Sequence, residues 1–175
     1  MVASEITYIE FLSLPEIQRQ EVQEIFLLAE NHFEIECMEW SWGTVKKIQE
    51  MMMEDVRYID IFEIAKMEGK KLTETSPAVT IFTIFLEIKR QIEKITENES
   101  IRLSGELTVK EKVAAEVVGG FACFKHYPQT FELTRILNCS YNDVEAMPYY
   151  ICFLALSYEK TKADFNKEIF KPKEQ

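Results

Sequence analysis

Histidine and cysteine carry much of protein nucleophilic and metal chemistry, and this chain uses both sparingly. It has two histidines, His32 and His126, and four cysteines, Cys37, Cys123, Cys139 and Cys152. A zinc site needs such residues in short paired spacings like C-x-x-C. No two cysteines stand in that spacing, and neither histidine lies at ligand spacing from a cysteine. His126 sits beside Tyr127 and Pro128 with no serine or cysteine nucleophile in a recognisable motif, so the expected histidine is one satisfied by backbone or water. Glu36 and Glu39 are carboxylates near a tryptophan pair, and an acidic composition alone supplies such neighbours. Gly119-Gly120 has apolar flanks and no adjacent basic residue, so it is no phosphate loop. Nucleotide, metalloprotease and serine-hydrolase motifs are absent from the sequence. The expectation is a protein with no catalytic, cofactor-binding or metal-binding residue, and not an enzyme. The cysteines read as small hydrophobes, reduced and unpaired.

The residues suited to contact are more numerous. Trp40 and Trp42 alternate with Glu39 and Ser41. Met51, Met52 and Met53 form a run that must spread around any helix holding it. Tyr149, Tyr150 and Phe153 open a C-terminal apolar segment. Tryptophan, tyrosine and methionine are enriched at interface centres, and they are equally ordinary filler between helices. These eight residues are the interface candidates.

Helices must position them. Ser13 and Glu16 have the S-x-x-E form of a capping box with Pro15 in the first turn, which predicts a helix beginning there. TYIEFLSL before it reads as a short turn or an extended lead-in. Apolar residues from Val45 to Met67 recur at three and four, which predicts one helix ending at Gly69. Ser76-Pro77 opens the next, to about Glu97. Its first part, with Ile81, Phe82, Phe85 and Ile88, is apolar on most sides and therefore a central buried helix. Asn98 to Gly105 reads as a loop. Thr108 and Glu111 cap a helix from Val109 to Phe124, which His126-Tyr127-Pro128 closes. Shorter helices follow over Phe131–Leu137 and from Ser140 through Ala146. Met147-Pro148 opens the last, Tyr149 to about Phe170. No internal repeat is evident. The prediction is an all-α fold, an irregular bundle of about six helices, with parts 1–100 and 101–175 around a shared core.

The remaining exclusions come from composition. Thirty acidic residues against twenty basic ones give a formal charge of −10. That field repels phosphate backbones and anionic membrane surfaces, so direct nucleic-acid reading and membrane binding are not expected. The one short helix placed like a recognition helix, Phe131–Leu137, offers only Arg135 to base edges. The most apolar window, Ala78 to Leu86, is too short to span a bilayer, and the N-terminus lacks the form of a signal peptide.

One stretch carries a family resemblance. In LTVKEKVAAEVVGGFACFKHYPQTFELTRILNCSYNDVEAMPYYICFLALSYEKTKADFNKEI, from Leu107 to Ile169, a short helix leads to a Y-x-D-V-x-x-M-P step made by Tyr141, Asp143, Val144, Met147 and Pro148. The final helix begins apolar and turns charged. This resembles the C-terminal part of tail assembly chaperone-like proteins of tailed phages and prophages. It covers about a third of the chain. The resemblance implies an all-helical, non-enzymatic protein that binds other phage proteins such as tail, portal or capsid components. The expected role is tail or virion assembly, or a structural or packaged virion protein. The implied state is a homo-oligomer, in the host cytoplasm and the virion. The alternative is a small acidic regulatory adaptor that binds a basic partner.

Overall fold

The computed structural model describes residues 5–27, 35–69, 71–104 and 125–169. These residues form eight α-helices: α1 (Tyr8–Ser13), α2 (Glu16–Leu27), α3 (Trp42–Met53), α4 (Tyr58–Lys66), α5 (Ala78–Leu103), α6 (Tyr127–Leu137), α7 (Tyr141–Ala146) and α8 (Tyr149–Ile169). A 3-10 turn occupies Cys37–Glu39. Among the described residues there is no β-strand, only two isolated bridges. The fold class is all-α, as predicted. The helix and cap predicted between Thr108 and Phe124, with Gly119-Gly120 and Cys123, lie outside the described residues, as does His32.

Four element boundaries differ from the sequence reading, each for a local reason. Ser13 ends α1 instead of capping α2, and its hydroxyl donates to the Ile9 carbonyl at 2.8 Å. The working capping box is Thr7–Glu10. The Glu10 carboxylate accepts from the Thr7 N–H at 2.9 Å, and the Thr7 hydroxyl faces the Glu10 N–H at 3.4 Å. The single helix expected from about Val45 to Glu68 is two, α3 and α4, separated at Glu54–Arg57. Asp60 ends the run by accepting from the Arg57 N–H at 2.9 Å, which fixes a new helix start. Gly69 does stop α4 as predicted, with a left-handed φ of 85°. Finally, Asn98 to Leu103 continue α5 instead of forming a loop. Polar composition alone does not end a helix when no glycine, proline or competing cap is present. Pro128 lies in the first turn of α6, where its missing N–H is harmless, and does not merely close a preceding helix.

A short capping motif occurs twice. Thr7-Tyr8-Ile9-Glu10-Phe11 through Leu14-Pro15 parallels Ser140-Tyr141-Asn142-Asp143-Val144 through Met147-Pro148. Each builds a capping box, a six-residue helix and an extended C-cap before proline. The N-cap angles agree closely, φ −73° and ψ 161° at Thr7, φ −76° and ψ 163° at Ser140.

Backbone contacts divide the chain into two compact units. The first contains Met1–Cys37 and Ile48–Glu93, the second Met38–Lys47 and Lys94–Gln175. Helices α3 and α5 each contribute to both. The core of the first unit is aromatic. Phe82 of α5 meets Phe11 edge-on at 5.1 Å and Phe26 at 5.5 Å, while Tyr8 stacks on Phe62 at 5.4 Å. Ile81, Phe82, Phe85 and Ile88 are all buried, which makes the first part of α5 the central helix predicted. Thr7 and Pro77 pair across an isolated bridge, with Tyr8 N–H donating to the Ser76 carbonyl and Ala78 N–H to the Ile6 carbonyl. The second unit repeats that clamp. Ser41 pairs with Pro148, Trp42 N–H donates to Met147 and Tyr149 N–H to Trp40. In both, two helix starts satisfy each other's orphan amides.

Candidate functional site

Helices α3, α5, α6, α7 and α8 bring the second unit's chemistry-bearing residues to one buried centre. The Trp42 and Tyr149 rings stack at 5.5 Å with 12° between their planes. The Lys46 ammonium lies over the Trp42 ring at 4.6 Å and contacts Glu99 Oε1 at 2.7 Å. Tyr149 donates its hydroxyl hydrogen to the same oxygen at 2.5 Å. Burial, reinforced by the Glu99 charge, drives the Tyr149 hydroxyl far above its ordinary range. The result is a carboxylate and an ammonium paired in a nearly dry pocket, each with further partners.

On the other side of Trp42, its Nε1–H donates to Thr130 Oγ1 at 2.9 Å. That hydroxyl has the His126 carbonyl and Glu145 Oε1 at 3.3 Å as acceptors. His126 Nε2 lies 3.3 Å from Glu145 Oε1. The Tyr141 phenol is pushed up to about 12, first by burial and then by the Glu145 charge. A Cβ on Gly43 would stand 2.1 Å from Glu145 Oε2, so a larger residue there would have to displace that carboxylate. A His–Glu pair is chemically able to move protons. Here the hydroxyl beside it belongs to Thr130, which is completely buried and already engaged by Trp42. The group therefore acts as a polar lock that joins α3, α6 and α7. Sequence reading singled out His126 and Tyr127. It missed Thr130, Glu145, Lys46 and Glu99, which lie 15 to 88 positions from their partners.

The interface candidates divide by burial. Trp42 and Tyr149 are 0% and 1% exposed. Both were named as interface candidates with filler between helices as the other reading, and in the structure each is a core residue whose ring is covered on both sides within its own unit. Trp40, Met51, Met52 and Phe153 are half-buried, and Phe153 stacks on Tyr149 at 5.9 Å. Tyr150 and Met53 are exposed, Met53 at 80%. Met51, Met52 and Met53 belong to the first unit, and Trp40, Tyr150 and Phe153 to the second. Tyr150 heads a larger exposed apolar stripe along α8 that includes Leu154, Tyr158, Phe165 and Ile169. Its signal was present in the sequence as apolar residues at steps of four, four, seven and four, in a helix read as apolar at first and charged later.

Cys37, Cys139 and Cys152 are free thiols. Burial raises Cys37 to about 12 and Cys152 to about 11, so both are weak nucleophiles. Among the described residues no helix is long and apolar enough to cross a membrane. No family model matches the chain, and neither a curated protein nor a solved structure shows significant similarity to it.

Proposed function

We propose that this protein is a non-enzymatic interaction component of a bacteriophage, acting in tail or virion assembly or carried as a structural or packaged virion protein. The observation that carries the contact part of this reading is the exposed apolar face of α8. Tyr150, Leu154, Tyr158, Phe165 and Ile169 are exposed along one helix face among the described residues, and such faces mark association surfaces. The phage setting is supported by the Y-x-D-V-x-x-M-P step that leads directly into this helix. The acidic surface would keep the free form soluble and steer a basic partner.

The test is recovery of tagged protein from infected or lysogenic cells, followed by mass spectrometry. Tail, portal or capsid proteins should co-purify, and Tyr158→Glu should remove them without changing the helical signal. Exclusive recovery of host regulatory proteins would replace this reading with that of an acidic adaptor.

A further inference from the structure

Helix α8 runs for 21 residues, but the described chain supports only part of it. Every residue from 161 to 169 is exposed around the whole circumference. A free helical extension of that length is marginal in water, because tertiary packing supplies most helical stability. Yet this extension carries Phe165 and Ile169, the latter 57% exposed. At 3.6 residues per turn, Tyr150, Leu154, Tyr158, Thr161, Phe165 and Ile169 fall within about 100° of one another.

Their spacing is also palindromic. Read from either end, the positions repeat with steps of four, four, three, four and four. Turning a second helix end for end sets Tyr150 against Ile169, Leu154 against Phe165, and Tyr158 against Thr161. We infer that α8 is a self-complementary surface on which two copies of this chain dimerise in antiparallel register. The antiparallel choice has a physical reason. It lays the unsupported 161–169 half of one copy on the 150–158 half of the other, which is held by the folded unit. A parallel dimer would leave the two unsupported halves to hold only each other. Opposed helix dipoles add a smaller favourable contribution.

Area and charge both permit it. Five large exposed side chains present about 500 Å² per copy, or about 1,000 Å² in total, which is at the threshold for a biological interface and in the size range of weak, reversible dimers. At the midpoint the flanks carry opposite charges in pairs, Glu159 with Lys162 at 3.3 Å and Lys160 with Asp164 at 2.7 Å. No block of like charge meets across the axis.

This deepens the reading of a protein that acts by contact, and its failure can be told apart from failure of that reading. Sedimentation equilibrium of the full chain at tens of micromolar should give a dimer. Leu154→Glu with Phe165→Glu should weaken self-association at least about hundred-fold while leaving the melting of the remaining helices intact. Register is read by mixing a Leu154→Cys protein with a Phe165→Cys protein under mild oxidation. Peptide mapping should find the 154–165 disulfide in excess of 154–154 and 165–165. A monomeric wild-type chain, a dimer indifferent to the double substitution, or dominant 154–154 linkage would each overturn the inference. A monomer that still recovers phage proteins would overturn it and leave the proposed function standing.

Discussion

At the scale of single residues, the pair Lys46–Glu99 is the most consequential charge arrangement in the second unit. Its side chains are 6% and 13% exposed, so neither ion is well hydrated. Removing one partner from such a pair leaves the other charge buried, a loss of about 3–5 kcal/mol. Glu99→Gln should therefore destabilise strongly in urea or thermal melts. The coupled change Lys46→Met, Glu99→Leu, Tyr149→Phe removes both charges and the hydroxyl that donates to Glu99. It should recover most of that loss, because apolar replacements of a buried ion pair are often neutral or better. A triple variant as unstable as Glu99→Gln would mean that the lost packing, not the stranded charge, sets the penalty. Acidic caps make a second residue-scale prediction. Glu10 and Asp143 are held below their usual carboxylate range mainly by the Thr7 and Ser140 hydroxyls, and Asp60 by the Arg57 guanidinium. A depressed folded value means stability that is complete above the unfolded value near pH 4 and lost as pH falls through the folded one. The melting temperature should drop below about pH 4, and Glu10→Gln with Asp143→Asn should flatten that part of the curve.

At the scale of elements, α5 decides the first unit. Phe85 is 7% exposed among Ile81, Ile84 and Ile88 of the same helix, all fully buried. Phe85→Ala should cost about 3–5 kcal/mol through the cavity left behind, a fall of roughly 10 °C in melting temperature for a chain of this size. A variant melting within a degree of wild type would place α5 at the edge of the core. This helix was legible in the sequence because Ser76-Pro77 marks its start and its apolar residues occupy most sides. So were the Gly69 stop and the Pro148 start, which depend on the conformational limits of single residues. The α3–α4 break was not, because an apolar stripe keeps its period across Glu54–Arg57 while the backbone turns. The Thr7 cap was hidden by the Ser13 alternative, which has the same S/T-x-x-E form. What separates them is long-range. Tyr8 and Ala78 exchange backbone hydrogen bonds with Ser76 and Ile6, so the helix start is selected by a partner some 70 positions away. The buried centre was illegible for the same reason: sequence left Trp42 open between interface and inter-helix filler, and Thr130, Tyr149 and Lys46 claim its ring only after folding.

At the scale of the whole molecule, net charge and apolar contact pull in opposite directions. Each copy carries a formal charge of −10, so association of two copies works against mutual repulsion. The midpoint ion pairs of α8 are already closed within each copy and partly exposed, where such pairs are worth little. The attraction must therefore come from apolar area, which salt does not screen, while the repulsion is screened within about 10 Å at 0.1 M ionic strength. Raising sodium chloride from about 0.05 M to about 0.5 M should tighten the dimer, seen as a lower dissociation constant by sedimentation equilibrium. The same change should weaken capture of a basic partner, because that encounter depends on the unscreened acidic field. The two responses have opposite sign, so one salt series on the full chain separates them. If added salt instead dissociates the dimer, ion pairs rather than the α8 stripe hold the two copies together, and Lys162→Glu should then disrupt it more than Leu154→Glu.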